Sequence, residues 1–321
     1  MNFIKKRIII SIIVFFVAIN IDFFLPRFVP GNAAEVFASG RLLPPSAVHL
    51  IEQRFGLDQP LYVQYYLFLK GIFSWPPFFG FSFQYYPTDV STLIASRAVW
   101  TILLIVSAFA LSIAISLVLG LFALMKRGSK TERSALYVSI IFWSAPGFLV
   151  SLLILYIFAV VLKVLPAFGT TGFETGSTIQ LIGSVLQHAI LPVGAMTLII
   201  FGQSYIILRG AAQEILGSDY ITAAKQRGLR DRVISFRYVI KNALLPLVSL
   251  TGFYVANLIS LAVVIEFVFG YGGVGDLIVD AILNHDYPVI EGAFFYVTLI
   301  VILLGLVGDY FLLRLDPRLR R

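Results

Sequence analysis

An all-α integral membrane fold with six transmembrane helices is what this sequence predicts, and three observations carry that expectation. The chain is 59% hydrophobic, with a mean hydropathy of +0.92 and only 13% charged residues over 321 positions; a soluble domain carries about twice that charge. The apolar residues gather into six charge-poor runs near the ~20 residues that a bilayer-crossing helix needs. Lysine and arginine crowd into alternate connections between those runs, the pattern that orients a chain in a bilayer. The net charge of +7 therefore speaks for membrane orientation and a lipid bilayer as partner, with no nucleic acid. The chain has no cysteine, which excludes disulfides and thiolate metal sites. His49, His188 and His285 are too scattered to form a ligand cluster, so no metal site is expected.

Taken in order, the N-terminus MNFIKKRIIISIIVFFVAINIDFFLP has a basic start and an apolar stretch but no small-x-small cleavage site. It is expected to remain in the protein as span one, 8–25. The segment 26–97 is too long for a simple connection. Pro44-Pro45-Ser46 offers a helix start, and apolar residues recur at helical spacing on both sides of a break near 56–60, so two short amphipathic helices are expected. Its aromatics, Tyr62, Tyr65, Tyr66, Phe73 and Trp75 among them, suit a membrane interface and also suit sugar stacking. Spans two to six are read at 98–125, 134–162, 186–208, 243–265 and 292–313. Asp22 and Asp309 lie near span ends, within reach of the headgroups. Pro146 and Pro192 fall inside spans three and four, where neighbouring helices can satisfy the freed carbonyls. The expected division is 1–97 for the first span and external segment, 98–313 for the five-span core, and 314–321 for a tail.

Segments 1–7, 126–133, 209–242 and 314–321 hold 18 Lys and Arg against five acids, whereas 26–97, 163–185 and 266–291 hold six against ten. Cytoplasmic loops attract the basic residues, so both termini and the 209–242 loop are expected on the cytoplasmic side of a multi-pass cell-membrane protein.

That loop contains the longest polar stretch of the core, the 33 residues EILGSDYITAAKQRGLRDRVISFRYVIKNALLP at 214–246. Ser218 or Asp219 can cap a helix starting near Tyr220, and Gly228 can end it with a left-handed residue. Ala223 and Ala224, side by side, would let another surface approach the helix backbone. A second helix is expected over 232–242, with Pro246 opening the next span. Flanked by Arg227, Arg230 and Arg232, the first helix reads either as a knob for a protein socket or as a basic amphipathic helix lying on anionic lipid.

Ala223-Ala224-Lys225-Gln226-Arg227-Gly228, followed 17 residues later by Leu245-Pro246, resembles the "EAA" coupling loop of ABC-importer permeases, in the longer form of the dipeptide/oligopeptide permease family. The resemblance extends along nearly the whole chain. Pro30-Gly31-Asn32-Ala33-Ala34 is similar to the family's PGDPA element, with Asn at the usual Asp. Phe55-Gly56-Leu57-Asp58-Gln59-Pro60 with Val63-Gln64-Tyr65 resembles its LGLDxP…VQY stretch. Ser144-Ala145-Pro146-Gly147-Phe148, Leu165-Pro166-Ala167, Asn242-Ala243-Leu244-Leu245-Pro246 and Glu266-Phe267-Val268-Phe269 resemble its SxPxF, LPA, NALLP and ExVF elements. The run 281–288 resembles AIxxRDYP, with His285 at the usual Arg, and the Asp-Pro-Arg ending at 316–318 also matches. Thr222 stands where the glutamate of the EAA motif would be, so a socket contact would rest on shape, Gly228 and the arginines.

What the resemblance implies is a B-type permease subunit with the type I ABC importer permease fold and an extended outer loop region. Such a subunit forms half of a translocation pore for short peptides, is not an enzyme, and pairs with a homologous C-type permease subunit. Its coupling loop, here 210–246 with Asp219, Ala223, Ala224, Arg227, Gly228, Arg230 and Arg232, sits in a groove of one of one or two cytoplasmic ABC ATPases. An extracytoplasmic substrate-binding protein delivers substrate to the open mouth; the 26–97 segment reads as a packed cap on that mouth and also as a docking surface for the delivering protein. No cofactor is expected on this chain; ATP and Mg2+ belong to the ATPases, and the sequence has no G-x-x-x-x-G-K-[ST] phosphate loop.

Gly270-x-Gly272-x-x-Gly275 formally matches a dinucleotide fingerprint but follows an apolar span rather than a strand, and reads as a flexible turn. Gly273-x-Gly275-Asp276 matches the tetrapeptide of intramembrane aspartyl proteases, which need a second carboxylate beside the first; Asp22 and Asp309 lie near opposite faces. An ion-coupled secondary transporter is the stronger rival, yet the span middles carry no Lys, Arg, Asp or Glu of the kind such proteins place at the midplane. Pro146, Gln203, Asn257 and Glu266 are the candidates for the pore or substrate path. Gln203, Ser204 and Asn257 can equally bond neighbouring helices, and Glu266 can line a vestibule or face headgroups. Peptide is the expected substrate, with oligosaccharide the alternative for the same architecture.

Overall fold

The computed structural model describes residues 3–28, 52–53, 56–125, 128–172, 177–244 and 251–315. The 30–34 element, the Pro44-Pro45-Ser46 helix start, Phe55, Leu245-Pro246 and the ending at 316–318 lie outside the described residues. Apart from an isolated bridge between Phe81 and Asp89, the regular structure described is helical. The helices are α1 (Phe3–Phe28), α2 (Leu61–Ile72), α3 (Val90–Met125), α4 (Lys130–Ser144), α5 (Gly147–Leu155, prolonged as a π-helix over Tyr156–Val161), α6 (Thr178–Leu216) and α7 (Asp219–Gln226). They continue with α8 (Asp231–Val233, a π-helical Ile234–Ile240, then Lys241–Ala243), α9 (Thr251–Phe269), α10 (Val274–Leu283) and α11 (Tyr287–Leu315).

Among the described residues four of these are long and apolar enough to cross a membrane unaided, and counting each of the two broken pairs, α4 with α5 and α9 with α10, as one span brings the number to six. The six-span expectation therefore holds, but the helices outrun the apolar stretches. The fourth span is embedded in the 39-residue α6, which passes the 186–208 run by eight residues at each end. Backbone hydrogen bonding continues into polar turns, which a charge-free run cannot reveal.

Span three differs from expectation. Instead of one helix with Pro146 inside it, α4 and α5 meet at 106°, with Pro146 at the N-cap of α5. Ala145 is extended, at φ −76° and ψ 135°, because the proline ring excludes the helical region for the residue before it and supplies no N–H. Pro192, by contrast, is buried within an unbroken α6. Within 26–97 α2 supplies the second expected amphipathic helix, and Gly56 turns the chain ahead of it at φ +67°.

The chain forms two compact units, 1–101 with 272–303, and 102–271 with 304–321. In the first, α1, α2, the start of α3, α10 and the start of α11 share a core built on Phe23, Phe68, Phe83, Val90, Leu277 and Ile290. Polar ties cross it. Arg27 donates to Glu291 Oε1 at 2.5 Å and to Gln64 Oε1 at 3.3 Å, with its guanidinium carbon 3.6 Å from the Phe23 ring centroid. Asp286 accepts from Ser82 Oγ at 2.5 Å and from the Gln84 N–H at 3.1 Å, pinning the 82–84 loop to the start of α11. Burial pushes the Asp286 carboxyl above its usual range, against the hydrogen bond from Ser82. Asp22 does not reach headgroups as expected: it is buried within this unit, with Glu291 as its electrostatic neighbour.

In the second unit α6 packs along α4, α5 packs against both α6 and α9, and α8 folds against α6. Gly202 permits the close approach of α6 to α4. A Cβ there would lie 2.6 Å from the Ser139 carbonyl oxygen and 2.8 Å from the Trp143 nitrogen.

Candidate functional site: a helical knuckle carried on the end of α6

The last turns of α6 end at Leu216, and Gly217 and Ser218 lead directly into α7. Ser218 is the N-cap by position, but it does not cap with its side chain as expected. Its hydroxyl turns back to donate to the Ile215 carbonyl at 2.5 Å. Asp219, in the first helical turn, still complements the positive end of the helix dipole. At the other end the expectation for Gly228 is met: it sits at φ +75°, its N–H donates to the Lys225 carbonyl at 2.9 Å, and the Leu229 N–H reaches the Ala224 carbonyl at 3.3 Å. Those two bonds are the paired closure of a left-handed helix end, and they fix the direction in which Arg230 launches α8.

The two alanines prove inequivalent. Ala224 is buried with Ile221 against Leu208 and Ala212 of α6 and Ile234, Val239 and Ala243 of α8, so it serves the chain's own packing. Ala223 is exposed, as are Asp219, Tyr220, Thr222, Arg227, Gly228, Arg230 and Arg232. A helix of 3.6 residues per turn necessarily sends adjacent side chains about 100° apart; only one of the pair can face an incoming surface. The outcome is a short helix clamped to α6 by one stripe and presenting a small residue outward, with exposed Arg227, Arg230 and Arg232 in the turn and helix start that follow it.

A polar bracket that sequence reasoning missed anchors the same end of α6. Glu132, buried in the first turn of α4, accepts from Arg209 Nη2 at 2.8 Å and Nε at 3.1 Å through one oxygen, and from the Gly128 N–H at 2.7 Å through the other. Ser129 caps that helix by accepting from the Glu132 N–H at 3.2 Å. The sequence held one usable signal, the Ser129-x-x-Glu132 spacing of a capping box, but the partner 77 residues away was invisible. Removing one member leaves a largely buried charge unanswered. Glu132→Gln is expected to lower the unfolding midpoint in detergent, with Arg209→Gln added to it restoring part of the loss, at a net cost of roughly 1–3 kcal/mol for the single change. Additive losses in the two variants would show that the pair is not coupled.

The pore-path candidates all fall in the second unit. Pro146 is exposed at the α4–α5 break, and a Cβ on the adjoining Gly147 would touch Leu261 of α9 and Ile199 of α6 at 2.8 and 3.6 Å. Three helices therefore meet beside Pro146. Gln203 lies one turn beyond Ile199 and is half-buried, while Asn257 lies one turn before Leu261 and is exposed. Glu266, expected to line a vestibule or to face headgroups, is fully buried near the end of α9, its carbonyl accepting from the Tyr271 N–H at 2.9 Å. Along α6, Ile199 and Leu216 are separated by about 26 Å of helix axis, so one unbroken helix runs from the three-helix junction to the knuckle. The turn at 270–273 holds Gly270 and Gly272 at positive φ, and the acid that electrostatically neighbours Asp276 is Asp280, a helical turn along α10, together with Arg97.

Residues 115–321 match the model of the family described as "Binding-protein-dependent transport system inner membrane component", and residues 1–116 match the model of the corresponding N-terminal region. The chain is 32% identical over 320 residues to the oligopeptide transport system permease protein OppB of Haemophilus influenzae, covering 100% of this chain and 99% of that protein. It is 31% identical, with the same coverage, to the proteins of the same description from Escherichia coli and Salmonella typhimurium.

Proposed function

The chain belongs to the family of binding-protein-dependent transport system inner membrane components, and from that premise we propose that it is the permease subunit of an ATP-driven importer of short peptides. The peptide substrate follows from the names of the full-length relatives. In this reading the chain supplies half of the pore, a homologous C-type permease subunit supplies the other half, and a binding protein on the outside presents the peptide. ATP and Mg2+ are bound and used by one or two separate cytoplasmic ATPases, in keeping with a sequence that has no phosphate-binding loop of its own. The bias of basic residues sets both termini and the 209–242 loop on the cytoplasmic side.

The observation that carries the proposal is the knuckle itself. Its apolar stripe is used up against α6 and α8, and what remains outward is a compact basic surface whose shape is fixed by the Gly228 turn. When the ATPases close on ATP, the knuckle moves with them, and α6 transmits that movement along its length toward the junction at Pro146. The spans then rock between inward-open and outward-open arrangements. No covalent chemistry is required of this chain; its work is to transmit a displacement.

Reversing charge at Arg227 and Arg230 together, to Glu, is expected to weaken retention of the ATPase on the purified permease about tenfold. Membrane insertion is expected to be unaffected, because both side chains are exposed. Co-purification in mild detergent measures it. Unchanged retention would transfer the basic face to anionic lipid.

A further inference from the structure

We propose that α2 is an interfacial helix, lying in the headgroup region of the bilayer beside the C-terminal end of α1 and presenting Tyr62 and Tyr66 to lipid, with Phe73 and Trp75 of the turn that follows it. At 12 residues it is about 18 Å long, too short to cross a hydrocarbon core of about 30 Å. Its inner face is fully committed. Phe68 and Ile72 are buried, Tyr65 Oη donates to Asn20 Oδ1 at 2.9 Å, the Tyr65 ring stacks on Phe24 with centroids 5.6 Å apart, and Phe23 meets Phe68 at 5.2 Å.

Those contacts fix the depth of the helix. Asn20 lies eight residues before the end of α1 at Phe28, about 12 Å along the span. A helix docked between Asn20 and Arg27 runs beside the last turns of a membrane-crossing element, at the level where hydrocarbon gives way to headgroups. The outward face of α1 at that level, Ile21, Leu25 and Phe28, is exposed and apolar. The outward face of α2 continues it with a change of character: Tyr62 is 75% exposed with Tyr66 exposed beside it, and just past the helix end Phe73 is exposed and Trp75 is 95% exposed. Aromatic rings carrying a polar handle are what membrane–water boundaries select.

Charge argues in the same direction. Across 60–80 the sole charged residue is Lys70, exposed on α2, whose aliphatic stem can lie along apolar surface while the ammonium reaches the phosphates. With no acid to answer a basic partner, and an apolar area of this extent that water would disfavour, a lipid surface is the occupant that fits.

The absence of cysteine from the chain makes the test direct. Tyr66→Cys and Trp75→Cys, each labelled with an environment-sensitive fluorophore, are compared with Gln59→Cys in the full chain. The protein is placed in phosphatidylcholine nanodiscs together with the subunits that accompany it. The label on α2 at position 66 and the one just past its end at position 75 are both expected to be blue-shifted and to be quenched about threefold more strongly by headgroup-level spin-labelled phosphatidylcholine than the Gln59→Cys label. Aqueous iodide is expected to show the reverse order. Iodide quenching as strong as at Gln59→Cys would place the face in water and overturn the proposal. Shielding from both quenchers would show it covered by protein and overturn it equally.

Discussion

Gly228→Pro is expected to abolish ATP-driven peptide uptake while leaving the chain inserted in the membrane. Gly228 sits at φ +75°, and proline is locked near −65°, about 140° away. Proline also lacks the N–H that donates to the Lys225 carbonyl at 2.9 Å, and the neighbouring bond from Leu229 to Ala224 depends on the same turn. Both closures of α7 would be lost, and the knuckle could no longer hold its angle to α8. The membrane-crossing helices do not use this turn and should form as before. Gly228→Ala is the informative contrast. It keeps the N–H, and nothing lies within 4 Å of the added Cβ, so it bears only the left-handed strain of about 1–3 kcal/mol. Its uptake should be reduced but measurable. Uptake of labelled peptide into proteoliposomes containing the assembled transporter decides the matter, and normal uptake by the proline variant would refute the role given to α7.

Gly202→Val is expected to fail earlier, at folding. The obstacles to a Cβ at Gly202 are the Ser139 carbonyl oxygen and the Trp143 nitrogen of α4, at 2.6 and 2.8 Å. These are backbone atoms of a helix, and they cannot rotate aside as a side-chain tip can. In a bilayer, where lipid is as apolar as leucine, helix association depends on close approach through small residues; α6 and α4 would have to separate. A cost at or above the upper end of the 1–3 kcal/mol typical of overpacking is expected, about 3 kcal/mol, seen as a fall in the unfolding midpoint and in the monodisperse fraction in detergent. Gly194 and Gly210 lie on the same helix with nothing within 4 Å of an added Cβ. Alanine at either should be neutral or slightly stabilising, which separates a packing effect from a general intolerance of α6.

Much of this molecule is written locally. Hydropathy alone set the number of spans, because a run near 20 apolar residues is favourable in a bilayer whatever its neighbours do. The Gly228 turn was legible too, since a glycine after a short amphipathic helix is the residue that tolerates a left-handed backbone. The order of motifs along the chain points to the family by itself.

The tertiary structure decided what depends on partners distant in sequence. It sent Ala224 inward and Ala223 outward, because the choice is made by Leu208 and Ile234 and not by the alanines. It broke span three at Pro146, an event for which the sequence gives a proline but not the 106° angle. It drew Asp22, expected near headgroups, and Glu266, expected at a vestibule or at headgroups, into buried surroundings. It also joined Glu132 to Arg209 across 77 residues and Arg27 to Glu291 across 264. Local patterns are fixed by the chain's interaction with water and lipid, which act on every residue alike. A buried charge, an inward alanine or a bent span is fixed by which surfaces meet, and that is settled only when the helices pack.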